Sequence, residues 1–244
     1  MTLSGRDSRC HHWASILARG DGKRLLPLTR PIAGDDRPKQ FCAVLGDQTL
    51  LQETQRRVSQ LVQSWRTLLV LTSTHEAFYA DEVAGIPSSR LLIQPSNQGT
   101  APAILYSLMR LREMDPKGVV GFFPSDHHFS NDQAFLGHID SAYAAAASRS
   151  EVIILLGIPP DAPEAEYGWI EPVVPLGTPA PDWQLSAKRQ RGNWMRRLPT
   201  GGDTRVTPDQ LLLWQFGATQ QIRRIESGVF SRMWRGCLSS QLKS

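Results

Sequence analysis

The sequence predicts an α/β domain built on a mixed, mostly parallel sheet flanked by helices. Three observations predict it. Apolar runs of strand length recur at residues 13–18, 67–71, 91–93, 118–123 and 151–156. The stretches between them carry apolar residues at helical spacing. Polar segments follow Ala18, Ile93 and Phe123, and open parallel sheets place their ligands beyond the carboxyl ends of such strands.

Residues 13–18 are apolar and run into Arg19-Gly20-Asp21-Gly22, which reads as a buried strand ending in a tight turn. Residues 49–63 place Leu50, Leu51, Val58, Leu61 and Val62 on one helical face. The run TLLVL at 67–71 is a second strand, 75–83 a short helix, and 91–93 a brief third strand. Residues 100–112 carry Ile104, Leu105, Leu108 and Leu111 as a helical stripe. GVVGFF at 118–123 is a fourth strand, 132–147 a helix, and EVIILL at 151–156 a fifth strand. Alternation of this kind implies crossover units with right-handed connections.

After about Pro172 the pattern changes. Pro and Gly cluster up to Pro181, followed by Trp183, Trp194, Trp214 and Trp234, with 211–216 the one compact apolar run. Lys188 to Arg235 holds ten basic residues against three acidic ones. The net charge of +4 therefore belongs to this tail. The reading is a catalytic domain over 1–181 and a divergent basic tail over 182–244, in part disordered. The abrupt change is what a frameshift or gene decay leaves behind. Nucleic-acid binding is disfavoured, because the basic stretch holds no recognised module.

With 244 residues, 41% of them hydrophobic and 20% charged, the chain has enough apolar material for a real core. No apolar run approaches the roughly 20 residues that span a bilayer. The first twelve residues are polar and lack the apolar centre of a secretory signal. A cytoplasmic protein with no membrane partner is expected. Cys10, Cys42 and Cys237 form neither a disulfide framework nor a CxxC metal site, and read as reduced thiols.

The chemistry concentrates in residues 16–41. Gly20 and Gly22 after a strand let the backbone turn and approach an anion without Cβ interference. Backbone N–H groups there suit phosphate oxygens. Arg24 suits a bidentate contact, and Lys39 a point charge, to the same phosphates. The run is neither a P-loop nor GxGxxG. Taken singly, Asp126 also suits a cap, Asn97 a turn and Glu171 a solvated strand end. His127 and His128 are adjacent and point apart on extended backbone, so they do not make a metal pair.

Together the motifs form a recognisable series. ILARGDGKRLLPLTRP with RPKQF at 37–41 resembles the ILAGGxGTRLxPLSR…xPKQF signature of sugar-phosphate nucleotidyltransferases, and PKQF that of their mannose-1-phosphate guanylyltransferase branch. QPSNQGTAPAI at 94–104 is similar to the branch's QPxNRGTAPAI, FPSDH at 123–127 to PxDH, and EYGWIEP at 166–172 to ExGYGYIE. The order is kept over about two-thirds of the chain.

The resemblance implies a Rossmann-like nucleotidyltransferase fold and the reaction of GTP with mannose 1-phosphate to GDP-mannose and pyrophosphate. By the same resemblance, Gly20 and Gly22 approach the triphosphate and Arg24 neutralises it. Lys39 holds the reacting phosphates, and Asp126 binds Mg²⁺. Gln94, Asn97 and Thr100 face the base or ribose, and Gly168 and Glu171 the sugar. Arg24, Lys39 and Asp126 are the expected catalytic set. Homo-oligomerisation is compatible with the sequence and not specified by it.

Some positions depart from the pattern. Arg19 stands where the family has the first glycine of its pair, and Lys23 where it has Thr. Arg19 is expected to bring strain if that glycine has positive φ, to occupy ligand space, and to add charge near the phosphates. Gln98 replaces an Arg and Ala165 a Thr, and the family's Phe-x-Glu-Lys-Pro segment is missing after Pro181. Two alternatives therefore stay open: another NTP and hexose 1-phosphate pair, or a catalytically impaired nucleotide-sugar binding protein.

Overall fold

A computed structural model describes residues 11–149 and 153–156 with their side chains, and the backbone of 168–175, 184–190, 204–206 and 212–215. Four strands form the parallel part of the main sheet: β1 (His12–Leu17), β2 (Thr67–Thr72), β3 (Leu91–Gln94) and β4 (Val119–Pro124). Their order is β3-β2-β1-β4, with Ile16 opposite Leu69 on one side and Phe123 on the other. β9 (Leu212–Gln215) pairs antiparallel with β4 and with β5 (Ile154–Leu155), completing six strands. A second, antiparallel sheet has the order β7-β6-β8, from β6 (Gly168–Pro175), β7 (Gln184–Gln190) and β8 (Thr204–Val206). β7, β8 and β9 all lie beyond Pro181.

Strand alternation sorts the core into two layers. Ala14, Ile16, Leu69, Leu71, Val119 and Phe123 face one way. They pack against Leu51 and Val58 of α2 (Leu50–Val58), Tyr79 and Val83 of α3 (Glu76–Val83), and Ile139, Ala142 and Tyr143 of α5 (Asp132–Ser148). Trp13, Leu68, Val70, Val120 and Phe122 face the other way, onto Ala103, Leu108 and Leu111 of α4 (Thr100–Met114). The remaining helix, α1 (Leu26–Ala33), follows the first loop. Because β1 leads to β2 on one side while β4 lies on the other, the connections leaving β1 and β4 diverge. That is the topological switch point at which open sheets bind ligands.

Expectation and structure differ in three places. Helix α1 was not expected, and its two prolines, Pro27 and Pro31, speak locally against a helix. Pro27 sits in the first turn, where its missing N–H costs nothing, and Pro31 lies inside the helix. The helix expected at 49–63 stops at Val58. Tighter turns follow, with Leu61 N–H donating to the Val58 carbonyl at 3.0 Å, yet Val62 stays buried. Apolar spacing reports burial, and burial continues past the helix end. Of the strand expected at 151–156, Ile154–Leu155 is strand, and 151–152 lie outside the described residues.

Candidate active site

The loop after β1 is held open by backbone geometry and one glutamine. Ala18 N–H donates to the Val70 carbonyl at 2.8 Å, carrying the sheet pairing one residue past the strand. Gly22 has φ +63°, and a Cβ there would lie 3.0 Å from Lys39 N and 3.3 Å from Pro38 Cα. Only glycine combines that dihedral with that approach. Gly20 has open space around it. The buried Gln40 amide donates to the Gly20 carbonyl at 2.7 Å and the Ala18 carbonyl at 3.4 Å. Phe41 anchors the segment in the core against Tyr79, ring centroids 5.8 Å apart. Within PKQF, then, Gln40 and Phe41 fix the loop while the Lys39 side chain, 31% exposed, stays at the surface of the cleft.

Lys39 Nζ forms an ion pair with Asp126 Oδ2. Asp126 follows β4, whose end is tied to β1: Ser125 donates to the Leu17 carbonyl through its backbone N–H at 3.3 Å and its hydroxyl at 3.0 Å. The next residues are fastened from α2. Buried Arg57 donates through Nε to Asp132 at 2.6 Å and through Nη1 to the His127 carbonyl at 3.4 Å, and its guanidinium lies 5.0 Å from the Phe129 ring centroid. Burial pushes the Asp132 carboxyl up, but its hydrogen bonds to Arg57 and Arg56 hold it below its ordinary value.

The third wall starts at the end of β3. Gln94 is buried, and by strand alternation it shares the α4 side with Leu92. Its side-chain carbonyl oxygen is buried with no hydrogen-bond partner among the described residues. Asn97 Oδ1 accepts from Gly99 N–H at 3.2 Å, an Asx turn leading to Gly99 at φ +88° and then to Thr100 at the start of α4. Asn97 is thus a turn residue as well as a candidate nucleoside contact. Arg19 reaches across from the first loop: Nη1 donates to Asn97 Oδ1 at 3.1 Å and Nη2 to Thr100 Oγ1. Thr72 Oγ1 donates to the Arg19 carbonyl at 3.2 Å. Arg19 is buried, and no non-glycine among the described residues has positive φ, so the strain expected at Arg19 is absent.

Sequence reading named Lys39 and Asp126 separately, and the fold joins them. Gly22 meets the PKQF segment directly, whereas Gly20 faces open space. Arg24 lies exposed in the turn Lys23–Leu25 that follows Gly22. Gly168 and Glu171 lie on β6, opposite Val206 and Lys188 in register, and the Glu171 side chain is outside what the structure describes. Three contributors escaped sequence reading. Gln40 stands within PKQF, and Arg57 within the 49–63 helix, with no local sign of the contacts each makes. His75, the third, lies with Nε2 3.5 Å from Asp21, and burial pushes its pKa down against the opposing pull of Asp21. Among the described residues no group of three His, Cys, Asp or Glu is arranged to hold a metal. A single carboxylate is still compatible with Mg²⁺, which commonly takes one or two carboxylates together with substrate phosphates and water.

A glycine loop and a lysine–carboxylate pair lie at the switch point of a 3-2-1-4 sheet, which defines an open α/β protein with its candidate site at the strand ends. Residues 14–174 match the nucleotidyl transferase family, and the chain belongs to it. It is 32% identical over 167 residues to the xanthan biosynthesis protein XanB of Xanthomonas campestris, covering 68% of this chain and 34% of that protein. It is 32% identical over 179 residues to the mannose-1-phosphate guanylyltransferase ManC of Salmonella typhimurium, covering 70% and 35%. The chain thus spans about a third of the length of these relatives. A solved structure described as mannose-1-phosphate geranyltransferase from Thermus thermophilus superposes with a TM-score of 0.69 at 26% identity, covering 88% of this chain and 60% of that one. Among the described residues no helix is long and apolar enough to cross a membrane.

Proposed function

We propose that this chain transfers a nucleoside monophosphate from a nucleoside triphosphate to a hexose 1-phosphate, with GTP and mannose 1-phosphate as the pair. A sugar-phosphate oxygen attacks the α-phosphorus, the bond to the β-phosphate oxygen breaks, and GDP-mannose and pyrophosphate leave. The observation that carries this reading is the Lys39–Asp126 pair at the divergent ends of β1 and β4, beside a glycine loop pinned by Gln40. The attacking phosphate has a second pKa of about 6, so it is ionised near neutral pH and needs no strong general base. The work left to the protein is alignment of two anions and neutralisation of their charge. Gly20 and Gly22 admit the triphosphate, while Arg24 and Lys39 supply positive charge. Asp126 would hold Mg²⁺, which when bound neutralises phosphate charge. The buried acceptor of Gln94 suits an N–H donor of the base.

The sugar and base are drawn from the relatives, of which ManC is a mannose-1-phosphate guanylyltransferase. A second reading, nucleotide-sugar binding without turnover, rests on the Arg19 contacts with Asn97 and Thr100. Pyrophosphate release decides between them, measured with Mg²⁺, each NTP and mannose or glucose 1-phosphate. Turnover with GTP and mannose 1-phosphate is the expected result. Turnover with another pair alone would refute the substrate assignment, and nucleotide binding without pyrophosphate in any mixture would refute the enzyme.

A further inference from the structure

We infer that Arg19 is an intramolecular occupant of the nucleoside subsite, a latch that an incoming nucleotide must displace. The inference rests on the proposed nucleotide site and concerns this chain's own residue within it. Three observations carry it. The guanidinium hydrogen-bonds two polar side chains, Asn97 and Thr100, of the connection from β3 into α4. Arg19 is only 8% exposed, so it fills this space instead of extending into solvent. The contact also places a cation at the first residue of α4, the positive end of the helix dipole, so it gains nothing from that dipole. It is therefore a contact that a ligand with better-matched groups can replace.

Two features keep the subsite intact once Arg19 moves. Asn97 Oδ1 still accepts from Gly99 N–H, so the turn into α4 does not depend on Arg19. The loop after β1 is held from the other side by Gln40 and by Thr72, both through backbone carbonyls. Displacement breaks the hydrogen bonds to Asn97 and Thr100 and leaves these backbone anchors in place. Arg19 would then lower affinity for any ligand bearing a nucleoside, and leave untouched a ligand that uses only the phosphate loop.

The test is isothermal titration of the full 244-residue chain and its Arg19→Ala variant with Mg²⁺-GTP and, separately, with Mg²⁺-tripolyphosphate. The variant should bind GTP at least about tenfold more tightly, with tripolyphosphate changed by less than about twofold. Weaker binding of both ligands by the variant would show that Arg19 is a phosphate ligand and overturn the latch. Equal GTP affinity in both proteins would overturn it as well. Failure of both proteins to bind either ligand would overturn the latch together with the nucleotide site. Tripolyphosphate binding with no gain for GTP would overturn the latch alone. Arg19→Gly, which places the family signature's own residue at this position and empties the subsite, gives the same readings if the alanine variant does not fold.

Discussion

Gly22 and Gly20 look alike in the sequence, and the structure separates them. A side chain at Gly22 meets both a left-handed φ and the Lys39 backbone at 3.0 Å, so Gly22→Ala is expected to destabilise by about 1–3 kcal/mol in urea unfolding. At Gly20 a Cβ meets nothing within 4 Å. Gly20→Ala should therefore change stability by less than about 1 kcal/mol, while weakening nucleotide binding if a phosphate approaches there. Equal destabilisation by the two variants would contradict this division. His75 gives a pH signature. Its folded pKa lies below the ordinary value of about 6.5, so the unfolded chain binds the proton more readily. Stability should fall as pH drops through about 6.5, and that component should vanish in His75→Gln. An unchanged pH profile in the variant would remove His75 as its source. Neither distinction was legible from residue types, because positive φ, close approach and burial are properties of the folded loop.

At the scale of elements, the segment from β4 to α5 depends on a cation supplied by α2. Arg57 ties Asp132 and the His127 carbonyl, so Arg57→Met is expected to cost about 2–3 kcal/mol and to loosen the turn that presents Asp126. Asp132 is held below its ordinary pKa of about 3.9, so its contribution is present above about pH 4 and is lost as pH falls further. In Arg57→Met this acid-linked loss should shrink, as read from unfolding midpoints at pH 3 to 6. Apart from α1, the strands and helices over 12–148 were legible because continuous apolar runs in the strands and 3.6-residue spacing in the helices both record burial. Helix α1 was not, because its two prolines speak locally against helix. Strand β9 carried a signal in the compact run at 211–216, but its place between β4 and β5 is a long-range pairing that no local pattern encodes.

For the whole molecule, strand order sets the proposed reacting groups, Lys39 and Asp126, beside the divergence of β1 and β4, where open sheets bind ligands. Ordered motifs make the family legible in the sequence alone. The Lys39–Asp126 pair and the Arg19 contacts were not, since they join residues 78 or more positions apart or from separate loops. The central claim is that this pair and the glycine loop form a phosphate-transfer site. Its most direct test is kcat/KM for pyrophosphate release from GTP and mannose 1-phosphate in the unaltered protein, Lys39→Ala and Asp126→Ala, with melting temperatures recorded alongside. Each variant is predicted to keep its fold and lose about a hundredfold or more in kcat/KM. Undiminished kcat/KM in both variants would contradict the claim.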